Sequence, residues 1–102
     1  MVKKGLVCLA LPMRLKILEL LAQANGYSLN NEILRNALSA VGIRATGDQL
    51  RAELGWLEQV TAVKLFDVGH LIVAELTERG HDVARGLSVV RGIDRPVPGS
   101  GL

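Results

Sequence analysis

Residues 46–60 constrain the fold more than any other stretch, because a helix start and a helical apolar stripe meet there. Thr46 precedes Gln49 by three positions, the spacing at which a hydroxyl and an amide side chain cap the backbone at a helix start. Three leucines then recur on one side of the helix, namely Leu50, Leu54 and Leu57. The stretch predicts an amphipathic helix that begins directly after a short break at residues 41–45.

Two earlier apolar stripes predict two more helices. The first is expected to begin at Pro12, since a proline at the first helical position needs no N–H donor, and to end near Gly26. The second is expected to begin with Ser28 as its N-cap and to end at Gly42. Two helices joined by so short a break are typical of a helix-turn-helix, whose second helix enters a groove of DNA.

The apolar period changes from about 3.6 to 2 after Val60, which indicates extended chain. Asp67 and Gly69 interrupt this alternation and favour a β-hairpin turn. Thr77 is expected to cap a last helix. Three residues of the second strand are expected to face inward, as are three of the last helix: Ile72, Ala74 and Leu76, and Val83, Ala84 and Leu87.

Composition changes at both ends of residues 12–87, which the sequence predicts as one domain. Residues 1–11 form a predicted N-terminal arm, and residues 88–102, rich in Gly, Pro, Arg and Ser, a predicted flexible tail. No apolar run approaches the roughly 20 residues that span a bilayer. The single cysteine, Cys8, suits a reducing compartment, so we expect a cytoplasmic protein.

The order helix, helix, helix, hairpin, helix predicts an α+β domain, mainly helical, of the winged helix-turn-helix type. Where the hairpin leads into the last helix, Leu76-Thr77-Glu78-Arg79-Gly80 resembles the Leu-Thr-x-x-Gly step that closes the wing in ArsR/MarR-type regulators. The small size and the Gly/Pro tail are also similar to a family of short ArsR-like proteins of Mu-like prophages. The resemblance implies a DNA-binding, commonly dimeric fold without catalytic activity. The Cys-x-Cys pair of metal-sensing ArsR proteins is absent from residues 46–60, so we expect neither a metal nor a cofactor.

The predicted interface with double-stranded DNA combines the helix 46–60 with the wing 62–76. The first turn of the helix 46–60 carries side chains that can read base edges. Basic side chains on either side of this helix suit phosphate contacts. The expected DNA-binding residues are Arg44, Thr46, Asp48, Gln49, Arg51, Lys64 and His70.

The distribution of charged residues does not decide whether the partner is DNA or a protein. Residues 46–60 hold one basic and three acidic side chains, which opposes phosphate binding, whereas residues 1–44 hold six basic and two acidic ones. Positive charge would come from flanking residues, among them Arg35, Arg44 and Lys64. The leading prediction is a DNA-binding transcriptional regulator of phage or prophage type. The alternative is an interaction module that binds a host or phage protein through the acidic face of helix 46–60.

No arrangement of residues typical of an enzyme site is visible, so the chain is predicted not to be an enzyme. A homodimer is expected instead, because a domain this small leaves apolar surface at its N-terminal arm and last helix. The candidate dimer-interface residues are Leu6, Val7, Leu9, Val83 and Leu87.

Overall fold

The computed structural model describes the backbone of residues 2–97 and the side chains of residues 10–97. Over these residues the fold is α+β and about half helical, with four α-helices and a three-stranded antiparallel sheet of order β1-β3-β2. None of the helices in the described part of the chain is both long and apolar enough to cross a membrane. The elements are α1 (Val2–Gln23), β1 (Ser28–Asn30), α2 (Asn31–Ala40), α3 (Gly47–Gln59), β2 (Val63–Val68), β3 (Leu71–Leu76) and α4 (Glu78–Ala84).

The core is aliphatic and is enclosed by all four helices and the inner face of the sheet. The apolar stripe of α3 points into it as predicted, because its three leucines are at most 1% exposed. Burying leucine side chains of this kind stabilises the fold by about 1.5–3 kcal/mol each. The largest fully buried side chains are Ile17, Leu18, Leu21, Leu34, Leu38, Leu50, Leu54, Leu57 and Val63.

The predicted β-hairpin is confirmed. Strands β2 and β3 pair from Val63 opposite Leu76 to Val68 opposite Leu71, and Gly69 and His70 form the turn. Gly69 has a positive φ of 63°, which glycine adopts without steric cost. Ala74 is fully buried in the centre of the inner face.

Strand β1 corrects the predicted start of the second helix. Ser28 does not cap this helix but pairs with Glu75 of β3, and Asn30 takes the N-cap position, accepting a hydrogen bond from the Ile33 N–H at 2.9 Å. The Asn31 side chain then accepts from the Ile72 N–H at 3.0 Å, beside the end of the β1 ladder. Serine and asparagine are both good N-caps, so only the pairing with a strand distant in sequence decides between them.

The Leu-Thr-x-x-Gly step has a local structural explanation. The Thr77 hydroxyl accepts from the Gly80 N–H at 3.0 Å, which confirms its predicted role as the cap of α4. The same hydroxyl donates to the Thr61 carbonyl at 2.6 Å and so joins α4 to the loop before β2. A Cβ atom on Gly80 would lie 2.1 Å from the carbonyl oxygen of Ala62, so only glycine permits this close packing.

The N-terminal boundary differs from the prediction. Helix α1 begins at Val2, so Pro12 lies inside the helix and residues 2–11 belong to it instead of forming a separate arm. Proline has a φ compatible with the helix and sacrifices one hydrogen bond. The buried residues that follow it, Met13 and Leu15, hold this part of the helix against the core.

The predicted C-terminal tail is ordered over residues 88–97. Val90 and Ile93 are each 7% exposed and join the core. The Arg14 guanidinium lies 3.8 Å from the centre of the Trp56 ring, which packs against the core, and donates to the Gly92 carbonyl at 2.9 Å. Two apolar side chains therefore anchor a segment whose composition indicated disorder, while residues 98–102 lie outside the described residues.

Candidate nucleic-acid interface

Capping at the start of α3 involves two of the predicted DNA-binding side chains. The Thr46 hydroxyl accepts from the Gln49 N–H at 3.0 Å, and the Gln49 side-chain oxygen accepts from the Thr46 N–H at 2.8 Å. This reciprocal pair is the predicted capping box. Thr46 thus has a structural role, whereas Gln49 is exposed and caps through its side-chain oxygen, so its NH₂ group takes no part in the cap.

The acidic side chains of α3 are engaged with other parts of the protein. Glu53 forms an ion pair with Arg14 of α1. Glu58 accepts from the Leu65 N–H at 3.0 Å and so fastens the C-terminal end of α3 to β2. Asp48 lies 3.4 Å from Arg51 on the exposed surface, where such a pair contributes little stability. These contacts offset part of the negative charge that the sequence assigns to the helix.

An open cavity of about 360 Å³ lies where α2 meets its connection to α3. Arg44, predicted from the sequence to contact DNA, lines this cavity and is exposed. Arg35 is also exposed, and its Nε–H donates to the Ala45 carbonyl at 2.9 Å, one residue before the cap of α3. The cavity is lined by Arg35, Asn36, Ser39, Arg44 and Ala45.

Asn36 and Ser39 were not predicted from the sequence as site residues. The available signal was their spacing, because residues 35, 36 and 39 share the side of α2 opposite its buried leucines, Leu34 and Leu38. The cavity itself depends on the angle between α2 and α3, which the sequence does not give.

Lys64 and His70 lie on the hairpin and not beside the cavity. Lys64 is exposed on the outer face of β2, opposite Glu75 in the strand register, and His70 is exposed in the turn. Lys64 precedes the residue that Glu58 binds, so it lies near the C-terminal end of α3. Exposed cations therefore flank both ends of a helix about 20 Å long.

The outer face of the hairpin is more apolar than the predicted alternation allows. Phe66 is 48% exposed and pairs with Val73, and Val68 is 57% exposed and pairs with Leu71. A solvated sheet face normally carries polar side chains at these positions. These apolar residues are visible in the sequence, but a strand buried on both faces has the same pattern. The sequence alone therefore does not show that this face is exposed.

The predicted dimer residues fall into three groups. The side chains of Leu6, Val7 and Leu9 lie outside the described residues. Val83 is only 2% exposed because it faces the core of its own chain, so it offers no surface to a second copy. Leu87 was predicted to face inward, but α4 ends at Ala84 and Leu87 is 68% exposed.

Comparison with known proteins links the chain to a bacteriophage. It is 36% identical over 85 residues to gp26 of Escherichia phage Mu, an uncharacterized protein, and the match covers 83% of this chain and 88% of the phage protein. The chain belongs to the family of this phage Mu protein. No family model matches the chain. The match with gp26 spans most of both proteins, so it relates the domain as a whole and not one short motif.

Proposed function

We propose that the chain is a DNA-binding regulator of phage type with a winged-helix fold, in which α3 enters the major groove and the β2–β3 hairpin serves as the wing. The packing of α3 between the connection from α2 and the hairpin supports this proposal. A helix that reads DNA must present exposed polar side chains while its opposite side is held by a rigid core. Helix α3 meets both requirements, because its leucines are buried while Asp48, Arg51 and Gln59 are exposed.

The observation that carries the proposal is a pair of exposed arginines beside the start of α3, Arg35 of α2 and Arg44 of the connection. Phosphate contacts from Lys and Arg position a protein on DNA, and base contacts then supply specificity. In this arrangement Arg44 contacts the backbone at one end of α3, and Lys64 at the other.

Base reading falls to the first turns of α3. Arginine pairs with guanine, glutamine with adenine, and an acidic side chain with cytosine. Arg51, Gln49 and Asp48 have these chemistries and are exposed. The 3.4 Å contact between Asp48 and Arg51 must open or be shared when Arg51 binds a base.

Duplex binding across a salt series tests the proposal. The logarithm of the binding constant should fall linearly with the logarithm of salt concentration, with a slope of about 0.9 per phosphate contacted. The Arg44→Glu and Lys64→Glu variants should each weaken binding, and the double variant should abolish it. Arg85→Glu, which changes an exposed arginine after α4, is the charge-matched control. Absence of measurable duplex affinity in the unaltered protein would refute the proposal.

A second candidate function is binding to a host or phage protein. The exposed Phe66 and Val68 favour it, because contiguous apolar surface often marks a protein interface. The acidic face of α3 is a weaker basis, since Glu53 and Glu58 are engaged within the chain. Under this alternative a Phe66→Ser/Val68→Ser variant loses its partner while Asp48→Lys keeps it. Under the DNA-binding proposal the Phe66→Ser/Val68→Ser variant keeps salt-dependent duplex binding, because the phosphate contacts of Arg44 and Lys64 remain.

A further inference from the structure

The cavity between α2 and the start of α3 combines positive charge with neutral hydrogen-bond donors. Arg35, Asn36 and Ser39 come from one side of α2, and Arg44 comes from the connection that follows. At about 360 Å³ and open to solvent, it has room for a phosphate group and part of the molecule that carries it.

Part of the positive charge that the sequence places in residues 1–44 lies at this cavity in the structure. Residues 1–44 contain six basic side chains. Arg14 is paired with Glu53, and Lys16 lies 3.0 Å from Glu19. The side chains of residues 3 and 4 lie outside the described residues. The two remaining cations are Arg35 and Arg44, and both line the cavity.

Neither of these arginines forms an ion pair with any carboxylate in the described part of the chain. Two like charges that line one cavity repel each other, and an anion bound between them removes that repulsion. No carboxylate in the described part of the chain therefore competes with an external anion for these two guanidinium groups.

The hydrogen bond from Arg35 to the Ala45 carbonyl orients the guanidinium before any ligand binds. It uses the Nε–H and leaves the four N–H groups of the two terminal nitrogens as donors. A guanidinium fixed in this way loses little conformational freedom when it binds an oxyanion in bidentate fashion. The Ser39 hydroxyl and the Asn36 amide add neutral donors at the same cavity.

We infer that this cavity is a phosphate-binding site in which Arg35 and Arg44 bind the oxygens of one phosphate group. A phosphate suits the site better than a carboxylate, because it has more acceptor oxygens for two guanidinium groups and the neutral donors. The phosphate can be a diester of the DNA backbone or a free phosphate. In the first case the inference rests on the proposed function, and the bound phosphate fixes the angle at which α3 meets the groove.

Nuclear magnetic resonance with inorganic phosphate tests the site without DNA. Increasing phosphate, at ionic strength held constant with chloride, should shift the Arg35 Nε–H resonance and the backbone amide resonances of residues 44–46 in a saturable manner. Arg35→Gln and Arg44→Gln should each weaken this binding at least several-fold, whereas Arg85→Gln should leave it unchanged. Shifts that are equal with chloride alone, or equally strong in both cavity variants, would overturn the free-phosphate case.

Duplex DNA in a salt series tests the DNA backbone as the source of the phosphate. Arg35→Gln should lower the salt slope by about 0.9 and weaken binding to all duplex sequences alike, as expected for one lost phosphate contact. Arg35→Lys should restore part of the slope but not the affinity, because lysine keeps the charge and loses the planar donor fork.

The two arms separate the inference from the proposed function. If the protein binds duplex DNA with the same slope and affinity in Arg35→Gln and Arg44→Gln, the DNA-phosphate case is wrong. Duplex binding itself then stands, but the phosphate contacts assigned to these two arginines do not. If the unaltered protein binds no duplex but inorganic phosphate still saturates the cavity, the proposed function fails and the inference holds for free phosphate. Failure in both arms refutes the site.

Discussion

Gly80 shows how a single atom fixes the junction between the sheet and α4. Alanine at this position would place its Cβ 2.1 Å from the Ala62 carbonyl oxygen and 2.7 Å from a methyl group of Leu76. The obstacle is backbone, so α4 must shift away from the loop before β2. We expect Gly80→Ala to lower the free energy of unfolding by about 2–3 kcal/mol, at the upper end of the usual cost of overpacking. Urea denaturation followed by circular dichroism measures this loss.

Gly55 is the matched control at the same scale. It lies within α3, and a Cβ atom there would meet no atom within 4 Å. Gly55→Ala should therefore stabilise the protein by about 0.5–1 kcal/mol, because glycine in a helix retains more entropy when unfolded. Equal stability changes at Gly55 and Gly80 would contradict the packing shown by the structure.

At the scale of elements, the C-terminal segment behaves as part of the domain. Neighbouring valines provide a test, since Val90 is 7% exposed and Val89 is 60% exposed. Val90→Ala should cost about 1.5–3 kcal/mol from the buried methyl groups that it removes. Val89→Ala should change stability by no more than about 0.5 kcal/mol. Thermal unfolding, with Trp56 fluorescence as the local probe, distinguishes these values; equal losses would mean that the segment is not docked.

The elements that the sequence predicted are those specified by local patterns. Thr46 and Gln49 contact each other across one helical turn, and Thr77 caps α4 through a residue three positions away. Strand β1 and the docked segment depend on partners far along the chain: Ser28 pairs with Glu75, and the Gly92 carbonyl accepts a hydrogen bond from Arg14. No local periodicity encodes these distant contacts, so the prediction placed a helix cap and a free tail instead.

For the candidate site, too, the sequence predicted local features and missed those that depend on the fold. Arg44 was predicted from its place beside the helix start, and the structure brings it to one cavity with Arg35. Their convergence depends on the turn between α2 and α3. In that turn Gly42 has a φ of 89°, and the Ile43 N–H donates a hydrogen bond to the Leu38 carbonyl at 2.8 Å. The chemical types of the site residues were readable in the sequence, but their meeting in one cavity was not.

At the scale of the whole molecule, the proposed function benefits from two copies of the chain. One domain with few exposed cations binds duplex DNA weakly, whereas two linked domains raise affinity through effective concentration. The two copies of α3 would need to lie about 34 Å apart to enter successive major grooves. Among the large apolar side chains described, Leu87 and Val97 are the most exposed, at 68% each, and Leu87 belongs to the predicted dimer surface.

If two copies associate through Leu87, we expect Leu87→Glu to produce a monomer and to weaken duplex binding. The fold of each chain should persist, because Leu87 packs little within its own chain. Sedimentation velocity measures the oligomeric state, and the salt series described above measures the binding. Val97→Glu, at a position of equal exposure outside the predicted dimer surface, is the control. A dimer that persists in Leu87→Glu would exclude the segment that follows α4 as the contact. If the unaltered protein is a monomer at micromolar concentration, each chain must bind DNA alone. The salt slope should then be small, as expected for few phosphate contacts.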